Sequence, residues 1–262
     1  MLTNQYESLL EIEQISVLTD NYVYLLHENV TGATCAIDPS VAEPVLHRAT
    51  ILGWKITHVL NTHHHWDHTG GNEGIKRATG ALVMGATADA GRLPCLDIGL
   101  QDGDSVEFGS HKATVLAVPG HTMGHIAFWF SSDEMLFSGD TLFSIGCGRL
   151  FEGSPAQMWY SLQRLRSLPD STRLYCAHEY TLTNAKFACT LEKDNHALQR
   201  RLQAVEKLRA AKKSTLPTLL GEEKAINPFL RADSPTLQTA VGLADSDPVQ
   251  VFAIIRRRKD LF

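Results

Sequence analysis

Thr62-His63-His64-His65-Trp66-Asp67-His68 follows the apolar run Ile56-Thr57-His58-Val59-Leu60, and the reading of that stretch decides the rest of the chain. Its seven residues carry four histidines and one aspartate, donors that suit zinc and its first-row neighbours. The spacing H-x-H-x-D-H offers His63 and His65 as one pair and Asp67 and His68 as a second. A catalytic tetrahedral site takes three protein ligands and keeps one position open. One compact loop is therefore poorly suited to wrap all of these donors around a single ion, and two metals side by side is the more economical reading. A solvated histidine run of the expression-tag kind is the alternative, but tags sit at termini and lack the interior aspartate.

Working outward, the same theme recurs. An apolar strand at 112–118 breaks at Pro119-Gly120 and delivers His121. A strand at 134–137 breaks at Ser138-Gly139 and delivers Asp140, and one at 173–176 delivers His178. In sheet proteins with helical layers, sites gather where loops from several strand ends converge. Any one of His121, Asp140 or His178 alone reads as a hydrogen-bonded structural residue; all three at strand ends read as ligands. His63, His65 and His121 can then hold one ion, Asp67, His68 and His178 another, and Asp140 can bridge them. Asp67 and Asp140, the carboxylates of the set, are the expected catalytic residues. A water bridging such ions would ionise near neutral pH and supply a hydroxide nucleophile without serine or cysteine. An ester, thioester, amide or phosphodiester is each open to that chemistry.

The remaining patterning frames the site. Strands are expected at 12–17, 21–27 and 34–37, with turn chemistry at Thr19-Asp20-Asn21 and a stop at Asp38-Pro39. A helix suits 41–52, with Val41, Val45 and Ala49 on one face. A second helix runs to about Thr79, and a short strand covers 81–84. Ser154, Pro155 and Gln157 mark a capped helix start, with Met158, Leu162 and Leu165 as its apolar face. After residue 180 the periods turn helical, with a stripe of Leu198, Leu202, Val205 and Leu208 and a last helix capped by Asp247 before Pro248. No strand pattern returns. The expectation is an α/β domain over 1–180 and an all-α domain over 181–262.

At 262 residues, 44% apolar and 20% charged, the chain is of ordinary globular composition. No stretch approaches ~18 uninterrupted apolar residues, so no membrane span is expected. The beginning, Met1-Leu2-Thr3-Asn4-Gln5-Tyr6-Glu7, lacks a basic region followed by an apolar core, so no secretory signal is expected. Five cysteines, odd in number and without C-x-x-C spacing, point to a reduced, cytoplasmic protein. The net charge of −5 divides unevenly: residues 1–180 carry 10 Lys+Arg against 20 Asp+Glu, and residues 181–262 carry 14 against 9. A pI near 6.2 argues against a nucleic-acid partner.

The metal-ligand motifs resemble the metallo-β-lactamase superfamily: the histidine loop, Pro119-Gly120-His121-Thr122, Ser138-Gly139-Asp140-Thr141 and Ala177-His178-Glu179-Tyr180. Within it the chain resembles the glyoxalase II, or hydroxyacylglutathione hydrolase, family. That closer likeness rests on Gly146-Cys147-Gly148-Arg149-Leu150-Phe151-Glu152-Gly153, Asn227-Pro228-Phe229-Leu230-Arg231 and Arg256-Arg257-Arg258-Lys259-Asp260, and it spans almost the whole chain. The resemblance implies an αββα sandwich with a binuclear site at one edge, followed by the helical domain. It implies two divalent ions, zinc first with iron or manganese open, and hydrolysis of S-D-lactoylglutathione to D-lactate and glutathione. Its substrate contacts carry over to Arg149, where many relatives have Lys, to Tyr180, and to Arg256 and Lys259 as the basic pair for the glycine carboxylate. Phe151 stands where several relatives carry Tyr, so a hydroxyl contact is lost while its backbone amide stays available. Ala177 replaces a more usual Gly.

Three further residues read as supporting. His64 is expected to turn away from the site, His125 to brace the ligands, and Cys147 to be a structural thiol. Competing readings are another metallohydrolase of the same fold, such as a lactonase, a β-lactamase or an RNA-processing nuclease, an iron-dependent dioxygenase, or an idle glutathione-binding module. Asp140 argues against β-lactamases that use Cys there, and the acidic residues 1–180 argue against a nuclease. A small-molecule thioester is the expected partner, with no membrane and a monomeric chain.

Overall fold

The computed structural model describes residues 10–262, so the stretch 1–7 read for a secretory signal lies outside it. Packing divides the chain into two compact units, Met1–Val115 with Trp129–Asp133, and Leu116–Phe128 with Glu134–Phe262.

In the first unit β1 (Leu10–Val17) and β2 (Asn21–Glu28) form a hairpin, and β3 (Thr34–Ile37) pairs antiparallel with β2. α1 (Glu43–Leu52), β4 (His58–Leu60), α2 (Trp66–Thr69), α3 (Asn72–Thr79), β5 (Leu82–Ala86) and β6 (Ile98–Leu100) follow. The sheet runs in the order β1-β2-β3-β4-β5-β6, and the pairs from β3 to β6 are parallel. Parallel strands bury both faces, which is why β3 and most of β4 and β5 are buried and apolar instead of alternating. Val23, Leu25, Ala36, Val59 and Val83 pack with Val45 and Ala49 of α1 and Ile75 of α3. Gly53 ends α1 in the left-handed conformation at φ 73°, where glycine carries no Cβ penalty. Two further strands, β7 (Ser105–Phe108) and β8 (His111–Ala117), pair antiparallel.

β9 (Ile126–Phe130) precedes β10 (Met135–Gly139), the hairpin of β11 (Leu142–Phe143) and β12 (Gly146–Cys147), and α4 (Pro155–Arg166). β13 (Arg173–Cys176), α5 (Thr181–Leu191), α6 (His196–Ala210), β14 (Thr218–Leu219), α7 (Leu220–Ile226), α8 (Pro235–Ala240) and α9 (Pro248–Asp260) complete the second unit. β10 and β13 run parallel, with a register shift between Phe137 and Gly139. That bulge, with Gly139 at φ 51°, re-aims the chain at the residue before Asp140. The Ser154 capping box forms as expected, and Met158, Leu162 and Leu165 are buried. Asp247 accepts from Val249 and Gln250 at the start of α9.

One expectation fails locally. Beyond residue 180 a strand does return: β14 pairs antiparallel with β13, Arg173 against Leu219 and Leu174 against Thr218. Two residues are too short for a period to register in sequence. The fold is mixed α/β, sheets and helices followed by a predominantly helical segment.

Candidate metal centre

β4 ends at Leu60, and the loop beyond it gathers four donors of the first unit. His63 Nε2 and His65 Nδ1 lie 3.0 Å apart, and His68 Nε2 lies 3.6 Å from Asp67 Oδ2. Asp38, at the end of β3, organises them from behind. Its carboxylate accepts from the Thr62 backbone N–H at 2.7 Å and the Thr62 hydroxyl at 2.7 Å, and its Oδ2 faces His68 Nδ1 at 3.0 Å. A carboxylate acceptor places the His68 proton on Nδ1 and leaves the Nε2 lone pair aimed at Asp67. The Thr62 hydroxyl, having donated to Asp38, accepts from His63 Nδ1 at 3.1 Å, so His63 likewise presents Nε2. Asp67 is steadied by Asn21, whose Nδ2 donates to Asp67 Oδ2 at 3.1 Å and to its carbonyl at 3.0 Å. His64 turns to Asp89 at 3.1 Å.

The second unit gathers the other three. Asp140 Oδ2 lies 3.4 Å from His121 Nε2, and Oδ1 lies 3.3 Å from His178 Nε2. His121 Nδ1 donates to the Arg149 carbonyl at 2.8 Å; a carbonyl can only accept, which fixes this tautomer too. His125 is buried, accepts from the Asp140 backbone N–H at 3.1 Å and meets the Thr141 hydroxyl at 3.2 Å. It braces Asp140, as the sequence suggested.

These donors suit a transition metal. Two nitrogen or oxygen ligands about 2.05 Å from one tetrahedral ion lie roughly 3.3 Å apart. The separations of 3.3, 3.4 and 3.6 Å are near that value and beyond an ordinary hydrogen bond. His63, His65, Asp67, His68, His121, Asp140 and His178 all belong to His/Asp groupings that could hold a metal ion. Cys147 is buried, and burial pushes its thiol up to about 11, which suits a structural thiol and not a nucleophile.

The expected substrate residues lie in the second unit in varied states. Tyr180 stacks on His178, rings 4.8 Å apart and nearly parallel, and stays partly exposed. Arg149 is exposed, with Nε 3.9 Å from Asp260 Oδ1. Phe151 is exposed, its ring 5.1 Å from that of His121. Its backbone N–H donates to the His121 carbonyl at 3.2 Å, so the amide expected to be available to a ligand is already engaged. Lys259 is half-buried with its Nζ between the Phe187 and Phe262 rings, 5.6 and 5.4 Å from their centroids. Arg256 is 5% exposed. It donates to the Cys147 carbonyl at 2.8 Å and to Asp260 at 2.9 and 3.2 Å. The resemblance gave Arg256 and Lys259 one role; their packing differs. Sequence reasoning missed Asp38 as an anchor, although its place at a strand end before Pro39 was a usable signal.

Residues 31–178 match the Metallo-beta-lactamase superfamily, and residues 179–262 match the family described as Hydroxyacylglutathione hydrolase C-terminus. A hydroxyacylglutathione hydrolase of Methylococcus capsulatus is 57% identical over 97% of this chain and 99% of its own length. One of Rhodospirillum rubrum is 56% identical over 97% of this chain and 100% of its own. Among solved structures, ETHE1 from Myxococcus xanthus superposes with a TM-score of 0.66 at 26% identity, covering 96% of this chain and 99% of that one. TTHA1623 in a di-iron-bound form gives 0.60 at 25%, covering 84% and 99%. The chain belongs to the hydroxyacylglutathione hydrolase family of the metallo-β-lactamase superfamily.

Proposed function

We propose that the chain hydrolyses S-D-lactoylglutathione, and other S-2-hydroxyacylglutathiones, to the hydroxy acid and glutathione, the second step of methylglyoxal detoxification. The observation that carries this reading is a set of His and Asp donors whose outer atoms are anchored, in a chain 57% identical to a hydroxyacylglutathione hydrolase. In this reading residues 1–180 form the catalytic domain and residues 181–262 the glutathione-binding domain. His63, His65 and His121 would hold one divalent ion and Asp67, His68 and His178 a second, with Asp140 available to both. Zinc is the first choice; iron and manganese suit the same donors. When bound, such ions would activate a water for attack near neutral pH and polarise the thioester carbonyl.

The chain's own groups do the positioning. Asp38, Thr62 and the Arg149 carbonyl keep three imidazole lone pairs aimed, so no reorientation is needed at the moment of reaction. Asp67 and Asp140 supply the carboxylate oxygens. Tyr180, half-open beside His178, offers its hydroxyl to the substrate, and Phe151 offers its ring. Arg149 and Lys259 draw the glycine carboxylate, and Arg256 holds Cys147 and Asp260 behind them. The chain acts as a cytoplasmic monomer in this reading. Among the described residues no helix is long and apolar enough to cross a membrane, and no disulfide joins any of the five cysteines.

Elemental analysis with kinetics on S-D-lactoylglutathione tests the proposal. Two metal equivalents per chain and equimolar release of glutathione and D-lactate are expected. Metal-loaded protein that leaves this thioester intact while cleaving a lactone would overturn it. Light scattering of the purified chain checks the monomer.

A further inference from the structure

β11 and β12 form a two-residue hairpin, and its turn, Ser144-Ile145, is held by side chains from later helices. Glu223 on α7 is fully buried. Its carboxylate accepts from the Ser144 hydroxyl at 2.8 Å, the Ile145 backbone N–H at 2.6 Å and Asn227 Nδ2 at 3.2 Å. Asn227 Nδ2 also donates to the carbonyls of Phe143 and Gly146, each at 3.1 Å. Among the described residues no cation hydrogen-bonds this carboxylate, although the Arg201 charge acts on it, and its burial is expensive unless such donors satisfy it. Ile145 sits at φ 55°, a conformation that costs a β-branched residue energy and persists only where its surroundings impose it. Burial and strain spent at one turn call for a purpose.

The far arm of the hairpin supplies it. Gly148 follows β12, and a Cβ there would lie 1.9 Å from the Asp140 carbonyl oxygen and 3.0 Å from His121 Nδ1. The next residue, Arg149, gives the carbonyl that receives the His121 Nδ1–H at 2.8 Å. A change at the turn therefore propagates along β12 to the group that orients a ligand imidazole. We propose that Glu223, with Asn227, is a positioning residue: it clamps the Ser144-Ile145 turn so that the Arg149 carbonyl holds His121 in its Nδ1–H tautomer, Nε2 facing Asp140. The consequence for turnover rests on the function proposed above; the effect on His121 does not.

The test reads the His121 tautomer by two-bond ¹H–¹⁵N NMR in the full-length, metal-free protein, with the signal assigned from its loss in His121→Gln. Wild type should show Nδ1–H. Glu223→Ala should give mixed tautomers, and after zinc loading should lose metal to a chelator and lose kcat by about 10- to 100-fold, the usual range for a ligand's outer partner. Glu223→Gln, which keeps an acceptor for Ile145 N–H, should restore the tautomer. Val45→Ala, a cavity in the first unit's core, serves as a destabilised control and should leave the tautomer unchanged. Folded Glu223→Ala with His121 still Nδ1–H would overturn the proposal, as would Glu223→Gln as impaired as Glu223→Ala, or Val45→Ala shifting the tautomer equally. Should Glu223→Ala not fold, Ser144→Ala removes one of the clamp's donors and should give a smaller shift of the same sign; no shift would overturn it. Because the tautomer is read without metal or substrate, a chain inactive on glutathione thioesters would leave this test standing.

Discussion

Arg256 and Lys259 lie three positions apart on α9, yet Arg256 is 5% exposed and committed to Cys147 and Asp260, while Lys259 keeps a half-open ammonium. Arg256→Ala would strip a charged donor from a buried carbonyl, a loss of about 1.5–3 kcal/mol, so a clear fall in Tm is expected. Lys259→Ala should leave Tm nearly unchanged and raise KM for S-D-lactoylglutathione about 5- to 20-fold with kcat preserved, the sign of lost uniform binding. A thermal melt and a Michaelis curve on each variant separate the two roles. Burial, then the charges of Arg256 and Arg149, hold the Lys259 ammonium below the ordinary lysine range. It therefore loses its charge at a lower pH than a free lysine does, and KM should climb as pH rises through that lowered value. Lys259→Arg, charged throughout, should flatten the climb. Asp140 is a proposed ligand, so Asp140→Ala should bring severe losses of hydrolysis and metal, whereas His64→Ala, whose ring faces Asp89, should retain metal content; metal analysis of both decides.

Elements carry the next level of consequence. The chain from Asp140 through the β11–β12 hairpin to Arg149 has room for no side chain at Gly148. Gly148→Ala should therefore lower metal affinity and turnover together, measured by chelator competition and kcat. The clamp on that hairpin has a pH signature of its own. Burial raises the Glu223 carboxyl above its ordinary value of 4.5. A raised folded-state pKa means its contribution is fully present below 4.5 and is lost as pH rises through the folded value. The stability difference between wild type and Glu223→Gln should therefore move against wild type as pH rises above 4.5, read as the difference in Tm across a pH series. A difference that moves the other way would mean that the carboxylate form is the favoured one in the fold.

For the whole molecule, the boundary of family resemblance and the boundary of packing fall in different places. The match to the C-terminal family begins at residue 179, but the second compact unit runs from Glu134 through Phe262 and also takes in Leu116–Phe128. β14 completes a pairing with β13, Glu179 accepts from Thr215 at 2.7 and 2.9 Å, and Glu223 grips the hairpin. Residues 1–180 expressed alone should thus lose the partners of β13 and of the hairpin and give no cooperative melt by calorimetry. Metal removal acts on the same scale. A ligand bound only by the folded state stabilises it by RT ln(1 + [L]/Kd). Chelation should lower Tm and abolish hydrolysis, and added zinc should raise Tm in proportion to the logarithm of its free concentration.

Much of this was written in local pattern. H-x-H-x-D-H after an apolar run, and His121, Asp140 and His178 each just past a strand, mark candidate donors because strand ends and ligand types are local properties. The Ser154 capping box, the Asp247 cap, the long strands and the helical turn of the chain after residue 180 were legible for the same reason. β9 was missed although Ile126-Ala127-Phe128-Trp129-Phe130 is a plain apolar run, and β14 could not be seen because two residues carry no period. What only the tertiary structure decided is which polar groups face one another across long sequence separations. Asp38 meets His68 thirty residues away, Arg149 offers His121 a carbonyl from 28 away, and Glu223 reaches Ile145 from 78 away. The same is true of Arg256, which its residue type and spacing alone would put at a solvated helix end and which is buried against Cys147. Burial and hydrogen-bond partnership depend on how distant segments pack, and no local pattern encodes that distance.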